Sequence, residues 1–245
     1  RVIRATDGEE MDGVEDMELF EGDEICAAGG ASAAVSFDDD HLVRISGRSS
    51  LKIKAARTGS GTGGIWARLH LSAGRLFASL GRLSGPQSSF SVETPTVVAA
   101  VKGTTFAVEA GEDASTVSVL EGAVAAAGLD EQSNELGPID VPEGQETSVK
   151  ARGRPLPPRA FLKSARRAWL REHLLRAKAA AVKLREMRAS GELARLRGLR
   201  RLAREGALDR AGPDLKNYLA SRPDLKAKLK RHAAAHRRAQ LRRQE

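Results

Sequence analysis

Up to about residue 150, apolar and polar residues alternate in short runs. Val35/Phe37, Val43/Ile45, Leu51/Ile53, Ile65/Ala67/Leu69/Leu71, Phe90/Val92, Phe106/Val108, Val117/Val119 and Val124/Ala126 are examples. Period-two alternation predicts strands with one buried and one wet face. Gly, Asp, Asn and Pro separate the runs at short intervals, the pattern of an all-β body. The Gly-rich stretches 59–64 and 128–137 read as loops.

From 151 to 159 the chain reads Ala-Arg-Gly-Arg-Pro-Leu-Pro-Pro-Arg, and the prolines predict a stiff, extended linker. After it the period becomes helical. Leu170, Leu174, Ala177, Ala181 and Leu184 recur at alternating steps of four and three, which places them on one helix stripe. The residues between them are good helix formers. Ser190-Gly191 interrupts the helix, and Leu193, Leu196, Leu199 and Leu202 mark a second. A short repeat follows, Pro213-Asp214-Leu215-Lys216 and Pro223-Asp224-Leu225-Lys226. Pro and Asp suit a helix's first turn, where a missing N–H costs nothing and a carboxylate meets the positive end of the dipole. The fold class predicted is an all-β domain over 1–150, a Pro-rich linker over 151–159 and a basic all-α tail over 160–245. The tail's helices are expected at about 160–189, 192–205, 213–220 and 222–243.

Charge sharpens the division. Residues 1–150 hold 12 Lys and Arg against 24 Asp and Glu, a net of −12; residues 151–245 hold 28 against 8, a net of +20. Opposed halves suggest modules with different partners, or modules that attract each other. Aromatics are only 4% of the chain, so the core must be built from aliphatic residues. The lone cysteine, Cys26, can form no internal disulfide and reads as a small apolar residue. No uncharged apolar run approaches the roughly 20 residues of a membrane span. The chain opens at Arg1 directly on a strand-like Val2-Ile3, as expected of a mature protein after signal-peptide removal or of a trimmed piece.

Five short elements occur in order. They are Phe20-Glu21-Gly22-Asp23-Glu24-Ile25, Gly30-Ala31-Ser32 running to Phe37-Asp38-Asp39-Asp40, and Thr94-Pro95 followed by Val101-Lys102-Gly103-Thr104-Thr105-Phe106. Then come Val119-Leu120-Glu121-Gly122-Ala123-Val124 and Glu143-Gly144-Gln145. Together they resemble the FecR domain family. The resemblance implies an extracytoplasmic domain of short β-strands in a solenoid-like, twisted β-helix sandwich, without catalysis. It also implies kinship with anti-sigma regulators of iron-siderophore uptake, which receive a signal from a TonB-dependent transducer. The chain departs from those regulators: it shows no membrane span, no cytoplasmic anti-sigma segment and no small α/β subdomain. Read physically, Gly103 marks a bulge or close backbone approach, and Thr94 before Pro95 is pushed out of the helical region. These family positions are expected to make the fold: Gly22, Asp23, Thr94, Pro95, Val101, Lys102, Gly103, Thr104, Phe106, Glu121, Gly122 and Gly144.

Candidate chemistry is sparse. Gly59-Ser60-Gly61-Thr62-Gly63-Gly64 matches a dinucleotide fingerprint in letters only, because a strand-like run follows where a helix is needed. Asp38-Asp39-Asp40 lacks the spaced acidic positions of a calcium loop and reads as a solvated turn. His232 and His236 share a helix face but lack a third ligand. No nucleophile-elbow, kinase or phosphate-loop pattern occurs. No cofactor, metal or catalytic residue is therefore expected.

The tail carries the expected partner contacts: Trp169, Leu170, Leu174, Leu184, Arg200, Arg201, Lys226 and Lys230. Its charge exceeds what solubility requires. Phe161, Trp169 and Tyr218 are too few aromatics for base stacking, which disfavours nucleic acid. Leucine stripes demand apolar burial, so protein docking with charge as the steering term is favoured. Three readings follow in order: a structural or interaction component of an envelope or cell-surface assembly, including a homo-oligomer; a periplasmic regulator of the anti-sigma type; and tail-mediated nucleic-acid binding. Peripheral contact with an anionic membrane surface is a further reading of the same charge.

Overall fold

The structure, a computed structural model, describes residues 1–13, 17–37, 41–58, 65–83, 88–161, 168–227, 229–230 and 233. Two compact units are present. The first comprises Arg1–Glu10 and Phe20–Lys183; the second comprises Met11–Leu19 and Leu184–Glu245.

In the first unit two long strands form a spine, β5 (His41–Thr58) and β6 (Ile65–Leu80), paired antiparallel along nearly their whole length. Each is bent in the middle. Register shifts between Ser46 and Leu51 interrupt the ladder, and Gly74 stands opposite with φ 91°. A Cβ on Gly74 would lie 2.6 Å from Ser49 Cα, so the strands can cross this closely only over glycine. The bend divides the pairing. The first half of β6 pairs in parallel with β7 (Ser89–Glu93), which leads to β8 (Val97–Val101), β11 (Ala123–Leu129) and β12 (Glu135–Pro142). The second half pairs with β9 (Thr105–Ala110), which leads to β10 (Ala114–Glu121), β13 (Gln145–Lys150) and β14 (Arg159–Ala160). Short strands β1 (Val2–Ile3), β2 (Glu10–Met11), β3 (Glu24–Ala27) and β4 (Ser32–Ser36) complete the 14-stranded sheet.

The result is a mostly antiparallel, branched sheet. The expected solenoid stacks parallel coils, whereas here β6 with β7 is parallel and the other described registers are antiparallel. The sheet is not a closed solenoid. Alternation decides the core: Ile65, Ala67, Leu69 and Leu71 point in and are at most 3% exposed, while Trp66 and Arg68 point out. After the bend, Leu76 to Leu80 are buried without alternation, so both faces of that stretch are covered.

The Pro-rich segment 151–159 is extended but is not a free spacer. Leu156 N–H donates to Ser148 O at 3.0 Å, and the Thr147 hydroxyl donates to Leu156 O at 2.6 Å. Arg159–Ala160 then add β14 to β13. Helix α1 runs Ala168–Ala189; Arg159–Ala160 are strand, and residues 162–167, where the expected start near 160 would continue, lie outside the described residues. Helix α2 is Glu192–Arg204 and α3 is Pro213–Ala220, with a 3-10 turn at Leu208–Arg210 between them. Residues 223–227 are helical; most of the expected last helix lies outside the described residues.

The second unit has its own small core of Leu199, Ala203, Leu229 and Ala233, with Leu208, Leu215, Tyr218, Leu219 and Leu225 packed against it. Tyr218 closes it: its hydroxyl donates to Glu192 Oε1 at 2.9 Å, and the Arg222 guanidinium lies 4.5 Å from its ring centre. Burial first, then the hydrogen bond to Glu192, push the phenol above its ordinary pKa.

Candidate functional site

The family positions cluster at chain crossings and turns. Gly22 has φ 88°, and a Cβ there would sit 2.5 Å from Ala5 Cβ. This close approach delivers Asp23 into the interior, 2% exposed. Its carboxylate accepts the N–H groups of Phe20 at 2.9 Å and Ala5 at 3.1 Å, and pairs with Arg4. Burial alone would raise the Asp23 pKa. The two backbone donors and the Arg4 guanidinium outweigh it and hold the carboxyl below the usual range. Thr94 is the hub of the turn at Pro95: its hydroxyl oxygen accepts from the N–H of Thr96 and Val97 at 3.1 and 3.0 Å and bonds Ser115 Oγ at 2.8 Å.

Val101 and Phe106 are core residues, and Lys102 is exposed while its carbonyl accepts from Leu83 N–H at 3.1 Å. The Thr104 hydroxyl donates to Ala123 O at 2.9 Å. Gly103 has φ 123°, and its missing Cβ would lie 2.7 Å from Arg82 Cα and 2.9 Å from Gly81 O. Gly122, φ 83°, faces the Gly103 carbonyl in turn. Main-chain atoms cannot swing aside, so Gly103→Ala is expected to cost about 1–3 kcal/mol in strain, with the overlap added. A urea midpoint equal to that of the unsubstituted chain would show that the crossing tolerates a side chain.

Two family positions lead to α1. Gly144, φ 76°, donates to Val119 O at 2.8 Å and accepts from Phe161 N–H at 3.1 Å, which directs Phe161 inward. Phe161 packs with Phe77, Ala107 and Leu120 on the outer face of β6, β9 and β10. Leu170, Leu174 and Ala177 of α1 close over that cluster and are at most 1% exposed. His173 stacks on Phe77, ring centres 5.2 Å apart and 26° between planes. Lys178 pairs with Glu121, whose other carboxylate oxygen accepts from the Thr105 hydroxyl at 3.3 Å. The doubly covered stretch of β6 thus owes its second cover to this helix.

The expected partner residues consequently divide. Leu170 and Leu174 are covered by their own chain. Trp169 lies in the first turn of α1, and its side chain is not among those described. Leu184 and Arg200 are half-buried, while Arg201, Lys226 and Lys230 are exposed in the second unit. Exposed Leu175 and Val182 also lie on α1, positions the stripe reading did not single out. Asp38–Asp40, residues 59–64, His232 and His236 lie outside the described residues. Among the described residues no three His, Cys, Asp or Glu side chains converge as a metal site would require. No described helix is long and apolar enough to cross a membrane. Cys26 is half-buried, its thiol pushed up by burial and by Glu24.

No curated protein matches the chain. Two crystal structures of a protein from Parabacteroides distasonis, described as an anti-sigma factor, resemble it at 18% identity and a TM-score of 0.46. The likeness covers 60% of this chain and 64% and 63% of those chains, less than two thirds of their length. The model of the family described as FecR protein matches residues 23–125, a span that holds four of the five ordered elements in part or whole. Over residues 23–125 this chain is similar to the FecR domain.

Proposed function

We propose that the chain is a non-enzymatic, protein-binding regulator of the FecR type, acting outside the cytoplasm. The match of residues 23–125 carries this reading. It moves the weight from a structural envelope component, which the charge division favoured, to a signalling regulator, since the FecR resemblance implies kinship with anti-sigma regulators. The buried aliphatic core and the crossings at Gly22, Gly74 and Gly103 make the domain a rigid platform, suited to binding another protein. The exposed cations of the second unit, Arg201, Lys226 and Lys230 among them, supply long-range attraction to an acidic partner.

Deleting the gene and measuring all transcripts tests the reading. A regulator should shift a compact set of genes several-fold, and complementation by the full chain should restore them. An unchanged transcript profile under envelope stress, iron limitation and rich growth would remove the regulator and return the structural reading to first place.

A further inference from the structure

The bend of the spine strands leaves a hollow of about 660 Å³ on the solvent face of the first unit. Gly29, Gly47, Arg48, Gly74, Arg75 and Glu109 help to line it. Glycines keep it open, because each would otherwise place a Cβ in the space or against backbone. Across its floor the register sets one polar row on four strands: Ser46 opposite Arg75, Arg75 opposite Glu109, Glu109 opposite Thr116.

Arg48 stands at the lip in an unusual state. Gly47 and Arg48 have successive positive φ values, 53° and 48°. Glycine is the ordinary residue for such backbone, and a long side chain there is strained. The surroundings over-determine it. Ser49, 3% exposed, donates its hydroxyl to Ser46 O at 2.8 Å and accepts Arg75 N–H at 2.9 Å, pinning the bulge on both sides. Arg48 Nε then lies 3.7 Å from where a Gly29 Cβ would be, over the hollow. Among the described residues Arg48 has no carboxylate partner. Beside it Arg75 pairs with Glu109, Nε 3.7 Å from Oε2. Arg48 thus holds a guanidinium without a carboxylate partner among the described residues at the lip of a glycine-walled space.

We infer that this hollow binds a carboxylate, gripped by Arg48, whose guanidinium stands at its lip on a strained backbone, and steadied by Arg75. A planar fork fits a carboxylate with two parallel bonds, and a strained residue at a cleft lip is where binding geometry is commonly stored. On the regulator reading, which this inference deepens, the carboxylate belongs to an acidic segment of the partner protein. A free small carboxylate has the same chemistry.

Titration of the full chain at low salt with a labelled peptide of alternating Glu and Thr, and separately with free glutarate, tests the site. Arg48→Gly is the informative variant, because the two roles of Arg48 move in opposite directions. It should raise Tm by about 2 °C or more, since glycine relieves the backbone strain. It should also weaken peptide binding by at least about tenfold, through loss of a charge-assisted pair. Arg48→Lys should recover only part of that, because an ammonium lacks the fork. Tighter binding of the peptide than of glutarate assigns the site to a macromolecular partner; equal binding assigns it to a small molecule. A raised Tm with unchanged peptide affinity overturns the inference, as does absence of binding of either probe to the unsubstituted chain. Loss of the transcript effect with binding intact would strike the regulator reading alone.

Discussion

Replacing Asp23 with Ala should lower the stability of the first unit by about 3–5 kcal/mol, the range for removing one partner of a buried ion pair. Arg4, its side chain 18% exposed, would lose the Asp23 carboxylate, and the N–H groups of Phe20 and Ala5 would lose their acceptor. Asp23→Asn keeps the volume but loses the charge, so it should recover only part of the loss. The same carboxylate predicts an acid limb. Its folded pKa lies below the unfolded value of about 3.9. Its contribution is therefore present in full above about pH 4 and drains away as pH falls through the lower, folded value. Chemical denaturation at pH 7 and pH 3 reads this directly. The unsubstituted chain should lose more stability than Asp23→Asn between the two. Parallel curves for the two proteins would mean that Asp23 titrates as if unfolded, against the geometry.

The joint change Leu170→Ala and Leu174→Ala should release α1 from the sheet. A buried Leu→Ala costs about 2–5 kcal/mol, and two neighbours over one cluster add imperfectly. The exposed pair Lys178–Glu121 contributes about 0–1 kcal/mol and cannot hold the helix by itself. Most of a helix's stability in a protein comes from packing its apolar face. Amide exchange is the measurement: amides of residues 170–183 should lose protection, while β10 and β13, buried on their inner face, keep it. Retained protection along α1 would show that the Phe77–Phe161 cluster does not anchor it.

Much of this was legible in the residues, and the misses have definite causes. Alternation identified the inward positions of β6 before Gly74, because a strand's faces follow from its period. Period also placed Leu170, Leu174 and Ala177 on one stripe, and that stripe is buried. Periodicity tells which residues share a face, not what covers the face, so the stripe by itself fits a partner protein as well as another part of the same chain. A clue lay in the unbroken Leu76-Phe77-Ala78-Ser79-Leu80, which requires cover on both sides. The family elements marked Gly103, Gly122 and Gly144, and the structure supplies the reason: three positive-φ crossings, the last leading to Phe161. Gly47, between the runs Val43/Ile45 and Leu51/Ile53, is compatible with a bulge, but nothing in Ser46-Gly47-Arg48-Ser49 announces the hollow, which forms only where Gly29 and Gly74 come beside it.

By itself the amino-acid order determined an aliphatic β body, a switch to helix after the prolines, the split of charge and a FecR-type series of turns. Each rests on interactions within a few residues, which local pattern encodes. Only the tertiary structure decided that the prolines run bound along β13, that α1 covers Phe77, that Asp23 meets Arg4, and that Arg48 overhangs Gly29. Those pairings join residues far apart in the chain, and which surfaces meet depends on which remain uncovered once the strands have paired.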